Sequence, residues 1–137
     1  MNSEDLIGKW KITRVMTCCK RIPKGVMHGM GQFDLYEGNQ LLYQEQLWHE
    51  TEKEGILFAF KFYRYHFSKD TIAIYFYQEE GNRLFMILNK GELKGYASCK
   101  EDHYTLIWDW INKDHFLTRY KALGPKKNYI IESEFSR

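Results

Sequence analysis

EDLIGKWKITR, residues 4–14, sets a glycine two positions before a tryptophan, at the head of a run whose residues alternate in character. Trp10, Ile12, Arg14 and Met16 share one phase, and Lys9, Lys11, Thr13 and Val15 the other. A period of two is the pattern of a strand with one face turned inward. Gly8 can adopt backbone conformations that other residues avoid, so it suits a tight corner. A tryptophan just past such a corner is placed to plug the end of a small β-barrel. The remainder of the chain decides whether a barrel exists for it to plug.

Period two continues through most of the sequence. QFDLYEGNQLLYQEQLWHE (32–50) and DTIAIYFYQEEGNRLFMIL (70–88) each hold two alternating runs around a Gly/Asn turn, the pattern of a β-hairpin. KRIPKGVMHGMG (20–31), with Pro23 and several glycines, reads as a loop entering a bulged strand. Further strands follow GILFAFKFYRYHF (55–67) and HYTLIWDWI (103–111), with turns at KED, NKD and GPKK. The count is about nine or ten short strands, and only EDLIG suits a helical turn. The expected fold is therefore all-β: a single antiparallel up-and-down barrel of about 8–10 strands. In such a barrel the first and last strands pair, which brings Trp10 beside Arg137 and allows a guanidinium to cover the indole.

Composition limits the function. The 137 residues suit one domain, 1–137, and carry 10 Tyr, 9 Phe and 4 Trp. A net charge of +2 gives no excess for nucleic acid or an anionic membrane surface. MNSEDL has neither a basic nor an apolar region of a signal peptide, and no apolar run approaches the roughly 20 residues of a membrane helix. Cytoplasmic residence follows as the expectation, with Cys18, Cys19 and Cys99 as reduced thiols. Cys18 and Cys19 lack the companion ligands of a metal site, so no metal is expected.

Four groups of residues carry a resemblance. They are Gly8 and Trp10; Leu41, Leu42, Tyr43 and Glu45; Cys99, Asp102 and Tyr104; and Gly124, Pro125, Lys127, Tyr129 and Arg137. Together they resemble an uncharacterised bacterial and fungal domain-of-unknown-function family that is itself similar to calycins, the lipocalins and fatty-acid-binding proteins. The resemblance implies a barrel with a ligand cavity. The chain departs from the pattern at Met86 and Ala97, where histidines are expected, and at Tyr120 and Phe135.

Candidate ligand-binding residues follow from phase. Arg14 alternates with Trp10 and Ile12; Phe60, Phe62 and Arg64 share a face; Tyr104, Leu106 and Trp108 share another. Each arginine is a candidate anchor for an anionic group, or else pairs with an internal carboxylate such as Asp109 or sits at the barrel rim. The aromatics are candidate cavity wall, or else plain core. The leading expectation is a barrel binding a small, partly apolar molecule, with an anionic one among the options. An enzyme using Tyr104, Asp102 or His66 as acid or base is the alternative, and no catalytic motif supports it. A solid barrel acting as a protein-interaction module is the third reading. No cofactor is indicated; haem would require an axial histidine facing the cavity, and His66 has the most apolar companions of the five. Tyr63, Tyr65, Tyr75 and Tyr77 are expected outside, as a homodimer surface. Lys20, Arg21, Lys24, Lys126 and Lys127 read as solvated loop charges.

Overall fold

The fold is described from a computed structural model of the chain. Residues 19–21, 52–54 and 78–82 are not described, nor are the side chains of 22–24, 50 and 51. Cys19, Lys20, Arg21, the Lys24 side chain and the turn around Gly81 therefore lie outside the described residues.

A short helix, α1 (Ser3–Leu6), leads into ten strands: β1 (Gly8–Cys18), β2 (Ile22–Leu35), β3 (Gln40–Thr51), β4 (Gly55–Phe67), β5 (Thr71–Phe76), β6 (Arg83–Asn89), β7 (Lys94–Cys99), β8 (Asp102–Asn112), β9 (His115–Leu123) and β10 (Asn128–Ser136). Each pairs antiparallel with its sequence neighbour, and β1 pairs with β10, with Ile12 opposite Phe135 and Arg14 opposite Ser133. The sheet is thus a closed up-and-down barrel with no free edge. β2 takes its bulge opposite Met16/Thr17, where Gly25 has φ of +142°, a value that L side chains rarely adopt.

One end is sealed. Trp10 is fully buried, donates its Nε1–H to the Leu6 carbonyl at 2.8 Å, and meets the Phe116 ring edge-on at 4.7 Å. The Arg137 guanidinium lies 3.9 Å from the centre of the Trp10 ring. Arg137 also donates to the carbonyl oxygens of Asp5, Ile7 and Lys113, which ties α1 and the β8–β9 turn to the chain end. Gly8 makes the corner at φ +123°, and a Cβ there would stand 3.5 Å from Arg137 Nη1.

Closure of the sheet assigns each strand an inner face. Trp10, Ile12 and Arg14 of β1 face inward with Leu41, Tyr43, Glu45 and Leu47 of β3, and with Leu106 and Trp108 of β8. The β3–β4 register places Leu41 opposite Tyr65, Tyr43 opposite Tyr63 and Glu45 opposite Lys61. Tyr63, Tyr65 and Phe67 are consequently the inward residues of β4, with Tyr65 and Phe67 buried. Phe58, Phe60 and Phe62 point outward, 58%, 60% and 46% exposed. This reverses the expected phase of β4. Both phases of that strand are aromatic, and a change of one residue exchanges the faces entirely.

Candidate functional site

Opposite the Trp10 plug the barrel holds a cavity of about 270 Å³. Phe116 and Phe135, stacked at 4.4 Å, form part of its floor above Trp10. Tyr65 and Trp108, 5.8 Å apart, stand on its wall, and Tyr63, Phe85 and Tyr120 line it as well. An adjoining recess of about 400 Å³ shares Phe76, Phe85, Tyr120 and Tyr129 with it and reaches Tyr104, Lys127 and Cys99. Rings therefore flank the path between the two. Tyr104 stacks on Tyr120 at 6.0 Å with planes 8° apart, and Phe85 lies 5.6 Å from Tyr120.

The polar centre of the cavity is an ion pair. Arg14 Nη1 donates to Glu45 Oε2 at 2.6 Å and Nη2 to Oε1 at 3.3 Å, while Nε donates to Ser133 Oγ at 2.7 Å. The two side chains are 14% and 3% exposed. Burial opposes the guanidinium charge, but the Glu45 carboxylate, by its charge and its hydrogen bonds, more than offsets this and holds Arg14 above its ordinary value. Arg14 is thus on the cavity wall, but its fork is already filled by a protein carboxylate. The expected partner Asp109 is exposed instead.

Burial keeps four of the cavity's phenols protonated. Burial raises Tyr43 and Tyr65 well above the usual tyrosine range, raises Tyr63 to about 12, and raises Tyr120 further still. The sign of the pH dependence follows. In the unfolded chain these groups ionise near 10.0, while the folded chain retains their protons. Stability is then at its plateau below pH 10 and falls as pH rises from there through about 12. Alkaline difference spectroscopy should show four tyrosines resisting ionisation until the barrel unfolds. Ionisation of every tyrosine near pH 10 with the fold intact would contradict the burial.

The other expected site residues fall in several places. Leu106 and Trp108 line the cavity; Tyr104 lines the adjoining recess. Phe60 and Phe62 do not line the cavity, because β4 presents them to solvent. Arg64 shares their outward phase; it stacks on the Tyr75 ring at 4.5 Å and donates to Gln40 Oε1. It is therefore no interior anchor. His66 belongs to the same outward phase, so it cannot act with Tyr104 and Asp102 in one cavity, and no described histidine lines the cavity to ligate a haem. Tyr63 and Tyr65, expected outside as a dimer surface, are interior residues. Of the two departures from the family pattern, Met86 is buried in the core and Ala97 borders the recess.

Asp102, Tyr104 and Lys127 come together at the recess. Lys127 Nζ donates to Tyr104 Oη at 2.7 Å and lies 3.3 Å from Asp102 Oδ2. The Tyr104 and Asp102 hydrogen bonds raise the lysine. Gly124 fits because a Cβ there would fall 2.0 Å from Asp102 Oδ1. These motif residues thus clamp the β9–β10 turn onto β8. Lys61, Thr118 and Ser133 are cavity residues that the sequence does not single out, and Glu45, named there only as a residue of the family pattern, is a fourth. Once Arg14 and Tyr43 are known to face inward, parity along β3 identifies Glu45, and register to β4 identifies Lys61.

The chain belongs to a family of unknown function, DUF6314, whose model matches residues 6–137. No curated protein sequence matches it. Its fold is similar to that of the S-type phycobiliprotein lyase CPES from Guillardia theta, with a TM-score of 0.64 at 6% identity over 98% of this chain and 89% of that one. It is similar to mFAP1, a redesigned β-barrel bound to DFHBI (TM-score 0.51, 10% identity, 98% of this chain and 97% of that one). It is also similar to a protein of unknown function of the DUF3598 family from Nostoc punctiforme (TM-score 0.60, 11% identity), where it covers 99% of this chain and 48% of that one. No helix among the described residues is long and apolar enough to cross a membrane.

Proposed function

We propose that this member of DUF6314 binds a small, flat, conjugated molecule inside its barrel. The observation that carries the reading is the cavity of about 270 Å³, sealed below by Trp10 and walled by rings. Ligand cavities usually span roughly 300–1,000 Å³, so the ligand is compact or projects into the adjoining recess. Offset and edge-on ring contacts favour a planar partner. Because Glu45 already occupies the Arg14 fork, the ligand portion beside the pair is neutral. The bound DFHBI in the designed barrel of similar fold supports the reading.

DFHBI itself is a suitable probe. Titration should give saturable, one-to-one binding with quenching of Trp108, which lines the cavity. Thr118→Trp places an indole inside the cavity and should weaken binding about tenfold or more, ~1.4 kcal/mol, with the strand circular dichroism unchanged. Equal binding by the filled variant would place the probe elsewhere and remove the reading's support.

A further inference from the structure

Lys61 stands on β4 directly opposite Glu45, in the inward phase with Tyr63 and Tyr65. Of the chain's fourteen lysines it is the only one on the cavity wall among the described residues. Arg14, Glu45 and Tyr63 share that wall with it. Glu45, its register partner, already accepts from Arg14 with both oxygens. Lys61 has no ion pair among the described residues. Burial, then the positive charge of Arg14, lower its affinity for a proton below that of an ordinary lysine, against a smaller opposing pull from Glu45. By accessible surface Lys61 is exposed, so solvent screens part of that lowering and a ligand can reach the amine. A lysine on the wall of an aromatic cavity, releasing its proton more readily than an ordinary lysine, is placed to act as a nucleophile toward carbonyl carbon.

We propose that Lys61 captures a conjugated aldehyde in the cavity as a reversible imine. The inference rests on the ligand-binding reading and names the chemical class that the site would select. The amine lone pair forms a C–N bond as the carbonyl π pair moves to oxygen. A proton passes from nitrogen to that oxygen and gives a carbinolamine. Protonation of its hydroxyl and loss of the nitrogen's remaining proton release one water and leave C=N. Amine and aldehyde thus become imine and water, with nothing oxidised or reduced. Tyr63, kept protonated by burial, is a proton donor on the same wall.

The test uses the full chain with trans-cinnamaldehyde below one equivalent, then borohydride to fix any imine, then peptide mapping. Binding of cinnamyl alcohol, which cannot form an imine, is followed in parallel by tryptophan fluorescence. The expected result is a reduced adduct on Lys61 several-fold above that on any other lysine. Lys61→Met and Lys61→Arg should both lose it, and binding of the alcohol by the unaltered chain reports on the cavity separately. If the alcohol binds but the label spreads evenly over surface lysines, the imine proposal fails and the cavity reading stands. If neither compound binds, the cavity reading fails and the imine proposal falls with it.

Discussion

Trp10→Ala should destabilise the barrel by about 3–5 kcal/mol, the usual cost of emptying a large aromatic site in a packed core. Trp10 has no exposed surface, and it packs on Phe116 and on Trp110, whose ring centre is 6.2 Å away. The substitution also leaves the Leu6 carbonyl without its indole donor and Arg137 without the ring beneath it. These losses fall on one structural unit, because Arg137 itself reaches back to Asp5 and Ile7. Urea unfolding of the two proteins measures the difference. A change below about 1 kcal/mol would mean that the end of the barrel is not packed as described.

Glu45→Ala should cost a similar amount, about 3–5 kcal/mol, because it leaves the Arg14 guanidinium buried without a counter-charge. The two oxygens removed accept from Nη1 and Nη2, and Ser133 alone cannot replace them. The double variant Arg14→Met, Glu45→Leu should recover most of the loss, since an apolar pair of similar volume removes both desolvation costs. A double variant as unstable as the single one would show that the pair contributes shape rather than charge compensation. A single variant with unchanged stability would show that water reaches Arg14 freely.

The barrel was legible because closure leaves strong traces in the sequence: alternation, regular turns and a Gly-x-Trp corner next to a terminal arginine. Gly8 and Trp10 lie far from Arg137 in sequence, yet an up-and-down barrel has only one place for its two end strands. The inner face of β4 was not legible. Phe58, Phe60 and Phe62 are more apolar than Tyr63, Tyr65 and Lys61, so hydropathy favours the wrong phase. Register against β3 settles it, and register is a property of paired strands that one strand's residues do not display. Arg14 was placed through its neighbours on β1, whereas its carboxylate partner lies 31 residues away on β3. In the sequence Glu45 stands out only as a residue of the family pattern, with nothing to mark it as the partner of Arg14.

The central claim, that the interior of the barrel receives a ligand, is most directly tested by methyl NMR of the intact chain during DFHBI titration. Ile74, Leu106 and Ile131 line the cavity, while Ile87 and Ile111 are outward, 46% and 47% exposed. The account predicts that the three inward residues shift together and saturate at one equivalent, with the two outward ones unmoved. Shifts confined to Ile87, Ile111 and other outer-face methyls, with the inward three unchanged, would contradict it.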